Sequence, residues 1–447
     1  METLESQIAE WRAYVERGRA LDGPDVDELE THLRDQIADL GAAGLSSDEA
    51  FLVAVKRMGD IDRLSREFAR EHSGRLWKQL VLSVPVETER AAGGLREALL
   101  FAVGAAVAVQ LARLAAGWPS EEGEWLFRNA GLLVFPFLAA YFAVRRRLPL
   151  SRIAVTLAPF AIAALVINLF PYAPNSSTES LVALHLPVAL WFVVAYAYMA
   201  GAWRSHDRRM DFVRFTGEWS IYYVLIALGG GVLMGLTSAV LRPLDPDSGE
   251  KVIEWVLPLG AAGAVIVAAW LVEAKQSVVE NMAPVLTMIF TPLFAVMLAA
   301  SAVTYAVSGL GGDFDREQLV VFDALMIVVL GLVLYGLSAR EPTERAGLMD
   351  YVQLVAVFGA LALDVMVLGS MVTRIGDLGF TPNRVAALGL NLVLLVNLLG
   401  TAWLSVRFLA GRVAFPRLER WQTGYLPAFG LWAAAIAVIL PALFSFE

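Results

Sequence analysis

The stretch YVQLVAVFGALALDVMVLGSMV, residues 351–372, is mostly apolar, and Asp364 is its only charged side chain. About 20 mostly apolar residues are enough for a helix to cross the hydrocarbon core of a bilayer. The whole chain of 447 residues shares this character: 57% of its residues are hydrophobic and 18% are charged, against about 25% charged in a soluble globular protein. The sequence therefore predicts a helical membrane protein and excludes an ordinary soluble enzyme and a disordered chain.

Apolar stretches of this kind occupy most of the chain beyond residue 95. We expect spans at 96–117, 125–144, 152–171, 180–202, 219–241, 252–273, 282–309, 319–338, 350–373, 385–408 and 425–445. The fold class is therefore all-α, a polytopic membrane protein with about eleven transmembrane helices. With the N-terminus inside, the inner loops carry fifteen Lys and Arg residues and the outer loops carry five. Because positively charged loops stay in the cytoplasm, we expect a cytoplasmic N-terminus and an external C-terminus.

The density of charge divides the chain near Gly94. Residues 1–95 contain 31 charged side chains, and the remaining 352 residues contain 48. We expect a cytoplasmic helical domain at 1–73, a juxtamembrane connector at 74–95 and a transmembrane domain at 96–447. With 12 basic and 19 acidic residues, the first segment has a net charge of −7, which argues against nucleic acid as a partner. The connector is either a short helix on the membrane surface or a plain linker.

The first 72 residues have the apolar spacing of amphipathic helices. Leu4, Ile8, Trp11 and Val15 follow one another at intervals of three and four, which places them on one helical face. Three further stripes of this kind follow, at residues 26–37, 51–58 and 61–68. Together they predict a small N-terminal four-helix bundle whose apolar residues form a core.

Three motifs in this bundle carry a family resemblance. They are LETHLRDQI at 29–37, GLSSDEAF at 44–51 and RMGD at 57–60. In this order they resemble the permease-prefix (HAAS-type) domain, a helical module found ahead of bacterial permease-like membrane segments. Ile61 departs from the pattern, since many members of the family have proline there. The resemblance implies a cytoplasmic module that contacts a protein partner and has no catalytic role.

A second resemblance covers most of residues 95–445. The segment RMDFVRFTGEW at 209–219, followed by Tyr222, Tyr223 and a glycine triplet, is similar to an uncharacterised family of bacterial polytopic membrane proteins known by a domain-of-unknown-function label. This resemblance implies no activity. The two resemblances together predict a multi-pass protein of the bacterial cytoplasmic (inner) membrane.

Asp364 is the first candidate for a functional residue, because it lies near the middle of the ninth predicted span. A charged side chain in hydrocarbon costs at least about 2.5–3.5 kcal/mol and therefore needs a compensating role. Such a carboxylate can carry a proton or bind a cation. Alternatively, it forms a structural hydrogen bond or ion pair between helices.

A second group of polar residues lies a few residues below the outer ends of the predicted spans. Its members are Arg128, Asn129, Asn168, His185, Glu254 and Asp323. They either line one outward-facing cavity, with Arg128 paired to Glu254, Asp323 or Asp364, or extend singly toward the membrane surface. Asn391 and Asn397 in the tenth span are expected to join helices by hydrogen bonds.

Gly229, Gly230 and Gly231 interrupt the fifth span. Glycines in a membrane helix permit close helix packing or a break at a binding site. We expect close packing here and keep the three glycines as candidates for a helix break as the alternative.

The function hypotheses remain open at this level. A permease-like transporter of an unidentified solute, regulated by the cytoplasmic helices, accounts best for the intramembrane polar groups. The alternatives are a sensor that relays a lipid or envelope state to a cytoplasmic partner, and a membrane-embedded enzyme that acts on a lipid through His185, Glu254 and Asp323. The chain has no cysteine, no phosphate-binding loop and no zinc-binding helix motif, so we expect no cofactor, no metal and no assigned catalytic residue.

Overall fold

The structure is a computed structural model that describes residues 4–17, 23–42, 45–58, 85–116, 123–242, 247–274, 282–308, 314, 316–340 and 346–447. In these ranges the regular structure is entirely helical. The helices are α1 (Leu4–Arg17), α2 (Gly23–Ala42), α3 (Ser47–Met58), α4 (Pro85–Ala115), α5 (Gly123–Arg145), α6 (Leu150–Leu169), α7 (Ser177–Tyr198), α8 (His206–Leu241), α9 (Ser248–Ala274), α10 (Met282–Ser308), α11 (Arg316–Ala339), α12 (Leu348–Leu378), α13 (Pro382–Leu409), α14 (Phe415–Val438) and α15 (Leu440–Leu443). The chain divides into two compact units, Met1–Gly93 and Gly94–Glu447.

Three amphipathic helices, α1 to α3, form the hydrophobic core that the structure describes in the first unit. Trp11, Leu33 and Phe51 are buried in its core, on the stripes that the spacing predicts. Ser46 begins α3 with a capping box, since its N–H donates to the Glu49 carboxylate at 3.0 Å and its hydroxyl accepts from the Glu49 N–H. The Ser46 N–H and the Ser46 hydroxyl, which also donates to the Glu49 carboxylate at 2.7 Å, hold the pKa of Glu49 below its ordinary value. The predicted fourth helix at 61–68 and residues 74–84 of the predicted connector lie outside the described residues, whereas residues 85–95 of the connector are helical and belong to α4.

Ten helices of the described chain, α4 to α13, are long and apolar enough to cross a membrane. They coincide with the first ten predicted spans. The eleventh predicted span, 425–445, is not among them, because its apolar sequence is divided between α14 and the short α15. Pro441 lies at the start of α15, where a residue without an N–H cannot continue the hydrogen bonding of α14.

The described membrane unit contains two large hydrophobic cores and one small cluster. One large core lies mainly among α4 to α9, the other lies among α10 to α14, and the small cluster joins α7, α13, α14 and α15. Helices α13 and α14 approach closely at Gly400, where a Cβ atom would lie 2.1 Å from the Trp421 ring. The Trp421 indole N–H donates to the Asn397 carbonyl at 3.2 Å, which fixes the ring in this position. Helix α14 is therefore an integral part of the bundle.

At one end of the membrane unit, several helix ends are joined by contacts of arginine side chains. This end is called here the arginine end. These contacts join Arg152 to Ala200, Arg209 to Thr423, Arg214 to Ser338 and Arg340 to Phe408. The arginine end thus contains the start of α6, the end of α7, the start of α8, the ends of α11 and α13, and the beginning of α14.

The opposite end is called here the C-terminal end, because the last residues of the chain lie there. The Phe446 carbonyl accepts from the Ala173 N–H at 3.1 Å, and the Glu447 carbonyl accepts from the Thr178 N–H at 2.8 Å. Ala173 lies in the connection from α6 to α7, and Thr178 lies in the first turn of α7. Helix α14 therefore begins at the arginine end, and the residues that follow it reach the other end.

Candidate functional site

Asp364 lies halfway along α12 and is fully buried. Neither of its carboxylate oxygens has a hydrogen-bond partner among the described residues. An ionised carboxylate without a partner is very costly in a medium of low dielectric constant. The site therefore requires a proton or a bound cation on this group.

Asp323 on α11 lies within electrostatic range of Asp364. Its carboxylate accepts a hydrogen bond from the Asn391 amide at 2.7 Å, which links α11 to α13. The same amide lies 3.8 Å from the Met371 sulfur on α12. Three helices thus meet at one polar point. Asn391 joins helices as predicted, and Asn397 does so too, by donating to Gln422 of α14 at 3.0 Å.

A cavity of about 510 Å³ lies beside this point, toward the C-terminal end. Its lining includes Asp323, His185, Arg374, Arg384 and Asn383, and its walls come from α7, α11, α12 and α13. Asp364 is not part of the lining. Asp323 faces the cavity and interacts electrostatically with Asp364. It therefore lies between the cavity and the buried carboxyl group of Asp364.

The two cavity arginines are held by backbone carbonyls. The Arg374 guanidinium donates to the Phe314 carbonyl at 2.7 Å, and the Arg384 guanidinium donates to the Gly379 carbonyl at 2.8 Å. Their positive charges remain at the cavity, where Asp323 is the one carboxylate among the described residues of the lining. This arrangement suits a solute that carries a negative group.

His185 also faces this cavity, as a half-buried side chain of α7. Its Nδ1 lies 2.9 Å from the Leu181 carbonyl oxygen, which can only accept a hydrogen bond. Nδ1 therefore carries a proton, and in the neutral ring Nε2 is left with its lone pair. Such a nitrogen can accept a hydrogen bond from a ligand in the cavity.

Arg128 belongs to a different cluster. It pairs with Glu179 on α7, and not with Glu254, Asp323 or Asp364, so the expected pairing is wrong. The reason is that the first turn of α7 packs directly on α5 and brings Glu179 to the arginine. Asn168 accepts from Arg128 at 3.4 Å and exchanges hydrogen bonds with Asn129.

Tyr172 completes this cluster from the connection between α6 and α7. The Arg128 guanidinium lies 4.7 Å from the centre of its ring. Burial raises the pKa of Tyr172 to about 12, so its phenol stays neutral at physiological pH. With its charges paired and its amides bonded to each other, the cluster around Arg128 reads as a structural tie between α5, α6 and α7.

Glu254 and the glycine triplet join neither group. Glu254 is a half-buried residue of α9 and does not line the cavity. Helix α8 runs unbroken through Gly229, Gly230 and Gly231, so the alternative of a helix break is wrong. A Cβ atom on any of the three would meet nothing within 4 Å, so close packing does not explain them either. An uninterrupted helix follows from the need to pair every backbone group inside a membrane.

Two buried acidic residues escaped the sequence reasoning. Glu179 follows Ser176 by three residues, and that spacing signals only an N-terminal cap. Glu273 lies at the last residue of a predicted span, where an exposed side chain is the ordinary expectation. It is buried, with Arg146 at 2.8 Å and the Tyr141 hydroxyl at 3.0 Å.

Comparison of the chain with protein-family models, with curated proteins and with solved structures gave no match. The described residues contain no group of three or more His, Asp or Glu side chains placed to hold a metal ion. The site is thus defined by its own geometry: a cavity with two arginines and a histidine, Asp323 at its wall, and Asp364 buried behind it.

Proposed function

We propose that the membrane unit is a permease-like transporter in which Asp364 carries a proton or another small cation during the transport cycle. The observation that carries this proposal is the fully buried Asp364 carboxyl group without a hydrogen-bond partner, next to a second carboxylate that faces a cavity. A buried carboxylate that must stay neutral can gain or lose its cation only when the protein around it rearranges. Such coupling is what an ion-driven transporter requires.

The cavity supplies the second half of the proposal. Its volume of about 510 Å³ lies within the range of small-molecule sites, about 300–1,000 Å³. Its two arginines favour a small solute with a carboxylate or another anionic group. Asp323 faces both the solute space and Asp364, so binding of solute and binding of the cation can influence each other.

The enzyme hypothesis receives less support. It requires Glu254, Asp323 and His185 to converge on one substrate, because acid–base partners must reach the same reacting atoms. Asp323 and His185 line the same cavity, but Glu254 does not. The sensor hypothesis stays a prediction.

We further propose that α14, with the residues after it, forms the eleventh crossing. Two sets of contacts support this count. The beginning of α14 bonds to Arg209 at the arginine end, and the Glu447 carbonyl bonds to Thr178 at the other end. The excess of basic residues at the arginine end supports its assignment to the cytoplasm, which leaves the cavity and the C-terminus outside. The resemblance of residues 1–72 to the permease-prefix domain supports a regulatory, protein-binding role for the cytoplasmic helices.

The test uses the full chain reconstituted in vesicles that contain a pH-sensitive dye. A panel of amino acids, dicarboxylates and sugars is added outside. We expect anionic or zwitterionic solutes to change the internal pH with the wild-type protein and to have no such effect with Asp364→Asn. Asp377→Asn serves as the matched control, since Asp377 is an exposed residue near the end of the same helix.

The outcome that contradicts this role is an unchanged pH response of Asp364→Asn. Infrared difference spectra give a readout that needs no solute. A carboxyl band that titrates in the wild type should disappear in Asp364→Asn and persist in Asp377→Asn. A band that persists in Asp364→Asn would belong to another group.

A further inference from the structure

An apolar groove of about 380 Å³ lies near the arginine end, away from the cavity described above. Its walls come from α6, α7, α8 and α14, with Pro159, Phe192, Phe212 and Pro427 among the lining residues. Leu431 in the same lining is 71% exposed. In a membrane protein, such a side chain faces lipid, so the groove opens sideways toward the acyl chains.

Among the residues that the structure describes, Arg209 is the one charged residue that lines the groove. Its Nη1 donates to the Thr423 carbonyl at 3.0 Å, and its Nε donates to the Trp203 carbonyl. The guanidinium also stacks on the Trp203 ring, 4.9 Å from its centre. These contacts fix the guanidinium at the mouth of the groove, and no described carboxylate lies within ion-pair distance of it.

A second arginine stands nearby at the same end. Arg152 on α6 donates to the Ala200 carbonyl at 2.6 Å. Its side chain and the hydroxyl of the groove residue Tyr196 both lie about 3 Å from the point where a Cβ of Gly201 would stand. The groove thus combines an apolar interior with positive charge at one mouth, and the described part of its lining includes no carboxylate.

We propose that this groove binds one anionic phospholipid, with an acyl chain between α6, α7 and α14 and its phosphate on Arg209. The charge at the mouth is complementary to a phosphate, which arginine binds through paired hydrogen bonds. From Phe192 to Met199 the lining descends seven residues along α7, or about 10 Å of helix, which matches part of an acyl chain. Basic pockets between membrane helices are a recurring site for lipid head groups.

The proposal is independent of transport, because the groove shares no lining residue with the cavity at the C-terminal end. The test is native mass spectrometry of the full chain in detergent, after delipidation and titration with phosphatidylglycerol or phosphatidylcholine. We expect one tightly retained phosphatidylglycerol, and phosphatidylcholine held about tenfold more weakly.

Two substitutions separate the head-group contact from the acyl contact. Arg209→Gln should weaken retention of phosphatidylglycerol about tenfold. Val155→Trp fills the groove from α6, where Val155 is 56% exposed, and should prevent retention of either lipid. Arg412→Gln, at an exposed position of the same end, and Leu165→Trp, on the lipid-facing side of α6, are the matched controls and should bind like the wild type.

Size-exclusion profiles establish that each variant is folded. Because Arg209 also bonds to two carbonyl groups, Val155→Trp decides the matter if Arg209→Gln does not fold. Wild-type retention of phosphatidylglycerol by Val155→Trp would overturn the proposal. A dimer that Val155→Trp abolishes, without a bound lipid in the wild type, would overturn it too and assign the groove to a second copy of the chain.

Discussion

Glu179, Glu273 and Asp364 show how buried carboxylates of the membrane unit are compensated. Glu179 is paired with Arg128, and Glu273 lies within ion-pair distance of two arginines. Asp364 has neither arrangement among the described residues. The first two groups are neutralised by fixed protein charges and therefore stabilise one structure. In the proposed transport cycle Asp364 depends on a mobile cation, and that difference makes it the candidate for function.

The Arg128–Glu179 pair leads to a prediction about stability. Arg128→Ala leaves the buried Glu179 without its cation, and breaking such a pair costs about 3–5 kcal/mol. We expect a large drop in the thermal unfolding midpoint in detergent. Arg412→Ala, at an exposed position, should leave the midpoint unchanged. A midpoint of Arg128→Ala equal to that of the control would show that the pair contributes nothing to stability.

At the scale of elements, the packing of α13 on α14 depends on a small residue at one contact. Gly400 leaves room for the Trp421 ring, which is held by its hydrogen bond to the Asn397 carbonyl. The glycine triplet of α8 has no such neighbour. Substitution of a glycine therefore affects stability differently in α8 and in α13, and the sequence around these glycines does not reveal the difference.

This contrast predicts opposite outcomes for the same substitution. Gly400→Ala places a methyl group into the Trp421 ring and should cost about 1–3 kcal/mol through overpacking. Gly230→Ala meets open space and should be neutral or stabilising by up to about 1 kcal/mol, because alanine is the better helix former. Thermal unfolding of the two variants measures the difference. Equal stability of the two variants would refute the packing argument.

Helices α1 and α2 of the first unit are joined by a charged network. Glu30 accepts from Arg12 at 2.6 Å and from Arg34 at 3.0 Å, and Arg34 also binds Glu5. The hydrogen bond from Arg12 contributes most to holding the pKa of Glu30 below its ordinary value of 4.5, followed by that from Arg34. A lowered pKa in the folded state stabilises the fold above the ordinary pKa, and this stabilisation is lost as the pH falls through the folded value.

Hydrogen exchange of the full chain tests this dependence. We expect the amide protection of α1 and α2, corrected for intrinsic exchange rates, to hold from pH 7 to about pH 5 and to decline below the ordinary pKa of glutamate. Arg12→Gln should make this decline smaller, since it removes the largest cause of the pKa shift. Asp39→Asn, an exposed position on α2, is the control. An unaltered decline in Arg12→Gln would assign the acid sensitivity to other groups.

At the scale of the whole molecule, the absence of cysteine allows a direct test of the proposed topology. Single cysteines at Pro174 and Glu447 should react with a membrane-impermeant maleimide in intact cells, and a single cysteine at Arg412 only after permeabilisation. Pro174 and Arg412 lie at the two opposite ends of the unit. If the Glu447 position reacted only after permeabilisation, α14 would not be an eleventh crossing.

Much of this architecture follows from the sequence, and the exceptions have physical causes. The ten spans are predictable because long apolar runs have few alternatives in water or in lipid. Asp364 is recognisable because a lone charge in such a run is costly. The partner of Arg128 is not predictable, since Glu179 lies in a helix cap and only the packing of α7 on α5 selects it. The division of the last span at Pro441 depends on where one helix stops, which hydropathy does not encode.

The tie between the end of the chain and the connection from α6 to α7 has a consequence for biosynthesis. Phe446 accepts a hydrogen bond from Ser176, a residue made 270 positions earlier. At about 5–20 residues per second, the ribosome needs roughly 15 to 50 s to cover that distance. During this interval Tyr172 lacks the Phe446 ring that later packs on it. Until residue 446 is made, the early helices therefore lie in the bilayer without their contact to the end of the chain. A membrane chaperone could bind at this uncovered end, and a prematurely terminated chain would stay exposed there to proteolysis.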